Sequence, residues 1–365
     1  MNANFTTVDA DGHLEEVHIN WKERVAEKYK TMAPEQRPAS DSHLRLMLEG
    51  KPWPKPSGFG VGVGGPYRRP HPRREGMKDP KPRLADMDSE GIEVAVLFGG
   101  GIAGTIPALE DAAFAVELAR ARNNWVAEYC SANPARLKGT AVLPQQNIPA
   151  AVAELRRTVT ELGFVGVSLL PNLRGRHLGD PYFFPLYLEA ERLNVPICVH
   201  MFLGRYDSEA TGTMRVDKFF YSHLFGHPFE QMIALSVIIG EGVLDRFPKL
   251  RFVFLESGCG WLPYWLHRLD EHYEVLGVQT PELKTEPSKL LQRGQLYFSF
   301  EADESELAHV IDVLGDDYLV FASDYSHFDS RWPGASEPIV HHDKISDSSK
   351  RKILNNNARR LYPLA

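Results

Sequence analysis

Cysteine, basic charge and long apolar runs are all scarce in this chain, and each scarcity excludes something. Three cysteines, Cys130, Cys198 and Cys259, are scattered over 365 residues. Such spacing builds neither a disulfide framework nor a clustered zinc knuckle, and it fits a reducing, cytoplasmic setting. No apolar run approaches the roughly 20 residues that span a bilayer. The opening Met1-Asn2-Ala3-Asn4-Phe5 has neither the basic nor the apolar region of a secretory signal. With 41 Lys and Arg against 48 Asp and Glu, the formal charge is −7, so the basic face of a nucleic-acid binder is not expected. The run from Gly60 to Gly65 lacks the Gly-Lys-Ser/Thr ending of a phosphate loop, and no Gly-rich dinucleotide fingerprint follows the first apolar run.

What is present is a series of short apolar, β-branched runs. They are Thr6 to Ala10, Glu93 to Phe98, Gly139 to Leu143, Phe164 to Leu170, Pro196 to Val199, Arg251 to Leu255, Leu296 to Phe300 and Leu319 to Ala322. Most are continuously apolar, as in strands buried on both faces. Helical spacing of apolar residues appears from Ala112 to Ala127, Ile148 to Leu162, Phe184 to Leu193 and Glu304 to Leu314. Strand alternating with helix implies parallel βαβ units. About eight of them make an α/β fold of the (β/α)₈ TIM-barrel type, here one domain over residues 1–365. Residues 33–82, rich in Pro, Gly, Arg and Lys, are too long for a simple connection. They are expected to form an insertion, or lid, after the first strand. Residues 204–228 are read as a second excursion, after the fifth strand. Either is a mobile surface loop, or else a lid or oligomer contact.

Acids and imidazoles collect at the ends of these strands. The first ends in Asp9-Ala10-Asp11-Gly12-His13, the fifth in His200, the sixth in Glu256 and the eighth in Ser323-Asp324-Tyr325-Ser326-His327. Asp11 and His13 are two apart and face one way on an extended strand. Alone, each group reads as a helix cap or a hydrogen-bonded structural residue. In a barrel all these ends converge on one face. Carboxylates are too costly to bury there without a partner, and mixed Asp and His donors suit a divalent cation of borderline softness.

On these residues the chain resembles the amidohydrolase superfamily, in the branch related to aminocarboxymuconate semialdehyde decarboxylase (amidohydrolase-2). The resembling stretches are Val8 to Glu16, Asn194 to His200, Gly242 to Leu250, Glu256 to Asp270, Phe321 to Pro333 and Asn357 to Tyr362. The resemblance implies one divalent metal, zinc first and manganese second, held by Asp11, His13, His200 and Asp324. Asp11 stands where many members carry His, and Glu256 replaces the strand-six acid/base His. Glu256 is therefore the first candidate for general acid/base, with metal ligation as its other role, and His327 is the second. His223 and His227, in the second excursion, are candidate substrate contacts, as is Arg205; Arg83 is a further arginine able to pair with a carboxylate. The activity implied is non-redox cleavage of a carbon–carbon bond, by a decarboxylase or C–C hydrolase, in a small aromatic or unsaturated carboxylic acid. The alternatives are a metal-dependent hydrolase of an ester, lactone or amide, and a non-catalytic small-molecule binder. The resemblance also implies a homodimer, with neither nucleic acid nor membrane as partner.

Overall fold

Eight strands occupy the eight apolar runs and pair side by side in chain order. They are β1 (Thr7–Leu14), β2 (Ile92–Gly99), β3 (Leu137–Val142), β4 (Gly166–Leu169), β5 (Ile197–Val199), β6 (Phe252–Phe254), β7 (Leu296–Phe300) and β8 (Leu319–Phe321). Every neighbouring pair is parallel. The ring closes just beyond β8, where Gly12 bridges Tyr325, His13 N donates to Tyr325 O at 2.8 Å and Asp324 N donates to Asp11 O at 3.1 Å. The computed structural model describes residues 5–38, 44–53, 55, 57–61, 68, 74–200, 210–325 and 327–364. Among them no helix is long and apolar enough to cross a membrane.

The strands read as continuous apolar runs because they separate two cores. Val8, Ala10, Val94, Val96, Phe98, Val253 and Val320 fill the barrel interior. The opposite parity packs under the helices in a larger cluster. Each large side chain buried in this way contributes about 1.5–3 kcal/mol. Tyr362 enters the interior from the end opposite the mouth, with its ring against Gly166 at the start of β4, and its hydroxyl donates to Ala10 O at 3.1 Å.

The longer helices, of eight residues or more, are α1 (Pro80–Glu90), α2 (Ala112–Cys130), α3 (Ile148–Thr160), α4 (Phe184–Arg192), α5 (Phe219–Gly240), α6 (Leu262–Leu276) and α7 (Leu307–Leu314). Asp79, Asp111 and Asn147 cap α1, α2 and α3 by accepting from first-turn N–H groups, which satisfies donors that have no partner within the helix. The segment after β1 carries a three-stranded antiparallel sheet, Glu35–Pro38, Leu44–Leu48 and Lys51–Trp53.

One expectation needs correction. The expected second excursion runs to residue 228, yet residues 219–240 are one helix, α5. Ser222, Gly226, Glu230, Ala234 and Ile238 are buried at four-residue spacing along it. His223 and His227 therefore project from a helix rather than from a loop.

Candidate metal centre

The residue that shapes the mouth most is an extra one in β1. Asp9 pairs with Ala95 and Gly12 with Leu97, so three steps on β1 match two on β2. This bulge shifts the side-chain alternation, a common device beside active sites. Below it Val8 and Ala10 face the interior. Above it Asp11 and His13 do, while Asp9 turns outward toward Arg83.

His13 Nε2 lies 3.0 Å from His200 Nε2 and 3.0 Å from Glu256 Oε1. Asp11 Oδ1 is 3.9 Å from His13 Nε2 and 3.7 Å from His200 Nε2. Potential ligand atoms of Asp11, His13, His200 and Glu256 all fall within 4.8 Å of one another. A second group of the same tightness joins His13, Glu256, Asp324 and His327. Asp324 thus reaches the cluster through His13, whose Nδ1 is 3.1 Å from Asp324 Oδ1, and through His327, whose Nδ1 is 2.7 Å from the same oxygen. The His200 ring stacks on Phe98, with centroids 5.1 Å apart and planes 6° from parallel, which fixes its orientation.

The electrostatics are those of a site built around positive charge. Burial alone would depress His13, but Asp11, Asp324 and Glu256 outweigh it and hold the imidazole well above its ordinary pKa. His200 is raised against burial by Glu256 and Asp11. Burial pushes the Glu256 and Asp324 carboxyls up, yet the imidazoles around them, His200 first for Glu256 and His327 first for Asp324, bring both below the usual range. Both oxygens of Asp11 are buried with no hydrogen-bond partner. Orphaned buried carboxylate oxygens are expensive, and a cation would satisfy them. The mixed oxygen and nitrogen set suits zinc or manganese. Glu256 and Asp324 also have left-handed backbones, with φ of 54° and 48°. Non-glycine residues held this way concentrate at functional sites.

Around this cluster lie the other candidates. His227 Nε2 is 3.5 Å from Glu256 Oε2, and His327 Nδ1 is 3.6 Å from Glu256 Oε1. His223 stands one turn from His227, with its Nε2 3.6 Å from Asp329 Oδ2. Desolvation, then the neighbouring His227, lowers His223 to about 4. Arg205 lies outside the described residues. Arg83 does not face a substrate: it is buried, paired with Asp9 at 3.6 Å, and donates to His13 O at 3.1 Å. Two rim acids escaped the sequence reading, Asp329 and Glu301. Glu301 follows β7 directly, the same signal that marked Glu256 after β6. Partial loss of water at the rim, then the charges of Asp324 and Asp329, raise its carboxyl to about 8.

A closed parallel barrel whose strand ends gather carboxylates and imidazoles about one point is the architecture of a metal-dependent barrel enzyme. The amidohydrolase family model (Amidohydro_2) matches residues 8–364, and the chain belongs to that family. It is 27% identical over 292 residues to the 2-amino-3-carboxymuconate-6-semialdehyde decarboxylase of Dictyostelium discoideum, covering 77% of this chain and 75% of that protein. It is 28% identical over 305 residues to the gamma-resorcylate decarboxylase of a Rhizobium species, covering 77% and 86%. The fold is shared with the 5-carboxyvanillate decarboxylase of Novosphingobium aromaticivorans, solved with manganese and 4-hydroxy-3-methoxy-5-nitrobenzoic acid, at a TM-score of 0.72 and 22% identity over 99% of this chain and 96% of that one.

Proposed function

We propose that this protein is a metal-dependent decarboxylase of a small aromatic or unsaturated carboxylic acid. The observation that carries the reading is Asp11, with both oxygens buried and unpartnered beside His13, His200 and Glu256. Asp11, His13, His200 and Asp324 would hold one divalent cation, and the manganese-bearing fold neighbour makes manganese as reasonable a first choice as zinc. When bound, the metal supplies Lewis-acid stabilisation of negative charge on a chelated substrate.

The residues around it do the rest. Glu256 stays ionised, with one oxygen toward His13 and the other toward His227, which orients both rings. His327 directs Nδ1 at Asp324, leaving Nε2 to deliver a proton to the carbon that bears the carboxylate. As that carbon gains the proton, the bond to the carboxylate breaks, its electron pair returns to the unsaturated system and carbon dioxide leaves. His223 and His227 are substrate contacts on the α5 side, and Arg205 is a further one.

Residues 33–82 act as a lid. Gly60 N donates to Thr213 O and Val216 O at 3.1 and 2.8 Å, and Ser222 Oγ donates to Val61 O at 2.7 Å, tying the insertion to the α5 side of the mouth. The protein works in the cytoplasm as a homodimer. Phe220 and Leu224, exposed one turn apart on α5, offer an apolar contact for the second copy, and light scattering of wild type and Leu224→Lys tests it.

The test of function is metal content after purification without added metal, followed by capture of carbon dioxide from carboxylated phenols and unsaturated acids. Metal-dependent release supports the proposal. Product formation without carbon dioxide, from esters, lactones or amides, would make the protein a hydrolase. No metal uptake would leave only a binding protein.

A further inference from the structure

One carboxylate lies behind the cluster rather than in it. Asp9 is fully buried on the outer face of β1, and its Oδ1 accepts from Ser323 N at 2.8 Å and from Asp11 N at 3.3 Å. Its Oδ2 accepts from Ser323 Oγ at 2.6 Å and lies 3.6 Å from the Arg83 guanidinium. Arg83 in turn donates to His13 O at 3.1 Å and stacks 3.8 Å over the ring of Tyr325. Tyr325 is anchored by its hydroxyl, which donates to Asp86 Oδ2 at 2.6 Å. The fit is tight: a β-carbon on Gly12 would come within 2.2 Å of Arg83 Nη2 and 2.7 Å of Asp9 Oδ2.

These bonds share a direction. They grip the backbone of Asp11 directly, that of His13 through Arg83, and that of Asp324 through its neighbour Ser323. They also span the seam where β1 and β8 close the barrel, at the bulge that turns Asp11 and His13 inward and beside the left-handed turn that presents Asp324. We infer that Asp9 is a positioning residue for the cation: with Ser323 and Arg83 it forms a clamp that sets the spacing of Asp11, His13 and Asp324. The inference rests on the reading of the mouth as a divalent-cation site. Partners behind a metal's ligands typically contribute 10- to 100-fold in affinity.

The test is the manganese dissociation constant of the full-length protein, by equilibrium dialysis, for wild type, Asp9→Asn, Ser323→Ala and Glu16→Gln. Asp9→Asn keeps the side-chain volume and one acceptor but loses the charge facing Arg83. Ser323→Ala removes one hydroxyl only, and carries the test if the Asn variant does not fold. Glu16→Gln breaks an equally buried ion pair, Glu16–Arg122 at 2.7 Å, which makes no contact with the cluster. The clamp predicts at least tenfold weaker binding for Asp9→Asn, a smaller loss for Ser323→Ala, and wild-type affinity for Glu16→Gln despite a lowered melting temperature. Wild-type affinity in both Asp9→Asn and Ser323→Ala would overturn the inference and leave the cation site standing. A wild-type protein that binds no manganese would remove the site itself, and the clamp with it.

Discussion

Replacing Glu256 by glycine is expected to stabilise the metal-free fold while abolishing activity. Glu256 holds φ at 54°, where a side chain with a β-carbon costs about 1–2 kcal/mol. Glycine carries no such cost, although its greater freedom in the unfolded chain takes back roughly 0.5–1 kcal/mol. The net gain from the backbone is about 0.5–1 kcal/mol, or a degree or two in melting temperature for a chain of this size. Glycine also removes the carboxylate 3.0 Å from His13 and 3.5 Å from His200, so a second variant is needed. Glu256→Gln keeps the size and the strained turn but loses the charge, and the difference between the two variants isolates the backbone. The assay is calorimetry or denaturant unfolding in chelator. A glycine variant no more stable than the glutamine variant would refute the claim that this turn is held under strain to aim a functional side chain.

Gly12→Ala should destabilise by about 3 kcal/mol or more, because the new methyl group must displace Arg83 from Asp9 in a buried site; the denaturation midpoint reads it. The pKa of His223 is lowered to about 4 from the ordinary 6.5, so as pH falls the unfolded chain takes up this proton first. Stability should therefore drop between pH 6.5 and about 4 and level off below, and His223→Gln should flatten that limb in a pH series of melting temperatures. Manganese or zinc at about 100 times its dissociation constant should stabilise the fold by about 2.7 kcal/mol, and a chelator should reverse the gain. His13→Ala should abolish both the stabilisation and the activity, since both ring nitrogens face other members of the cluster.

The barrel was legible because burial on two faces writes continuous apolar runs, and all eight became strands. The convergence of Asp11, His13, His200, Glu256 and Asp324 followed from that topology alone. What strand alternation could not supply was the bulge. Asp9 and Asp11 are as far apart as Asp11 and His13, yet only the latter two enter the mouth, because one extra residue in β1 breaks the parity between them. The excursion expected over 204–228 takes in only the first half of helix α5; Gly226 and Pro228 disfavour a helix there, and tertiary burial at four-residue spacing, from Ser222 to Ile238, overrides that local signal. Arg83 had no legible partner, since its pairing with Asp9 depends on α1 packing behind β1. Glu301 carried the same strand-end signal as Glu256 and could have been found from it.

The central claim, that a proton replaces a carboxylate at carbon, is tested most directly by running the metal-loaded protein in deuterium oxide with a carboxyl-labelled aromatic or unsaturated acid. The account predicts one labelled carbon dioxide per product, one deuterium at the carbon that carried the carboxylate, and loss of both with chelator. A turned-over substrate whose product keeps its labelled carboxylate and gains oxygen from water would contradict it.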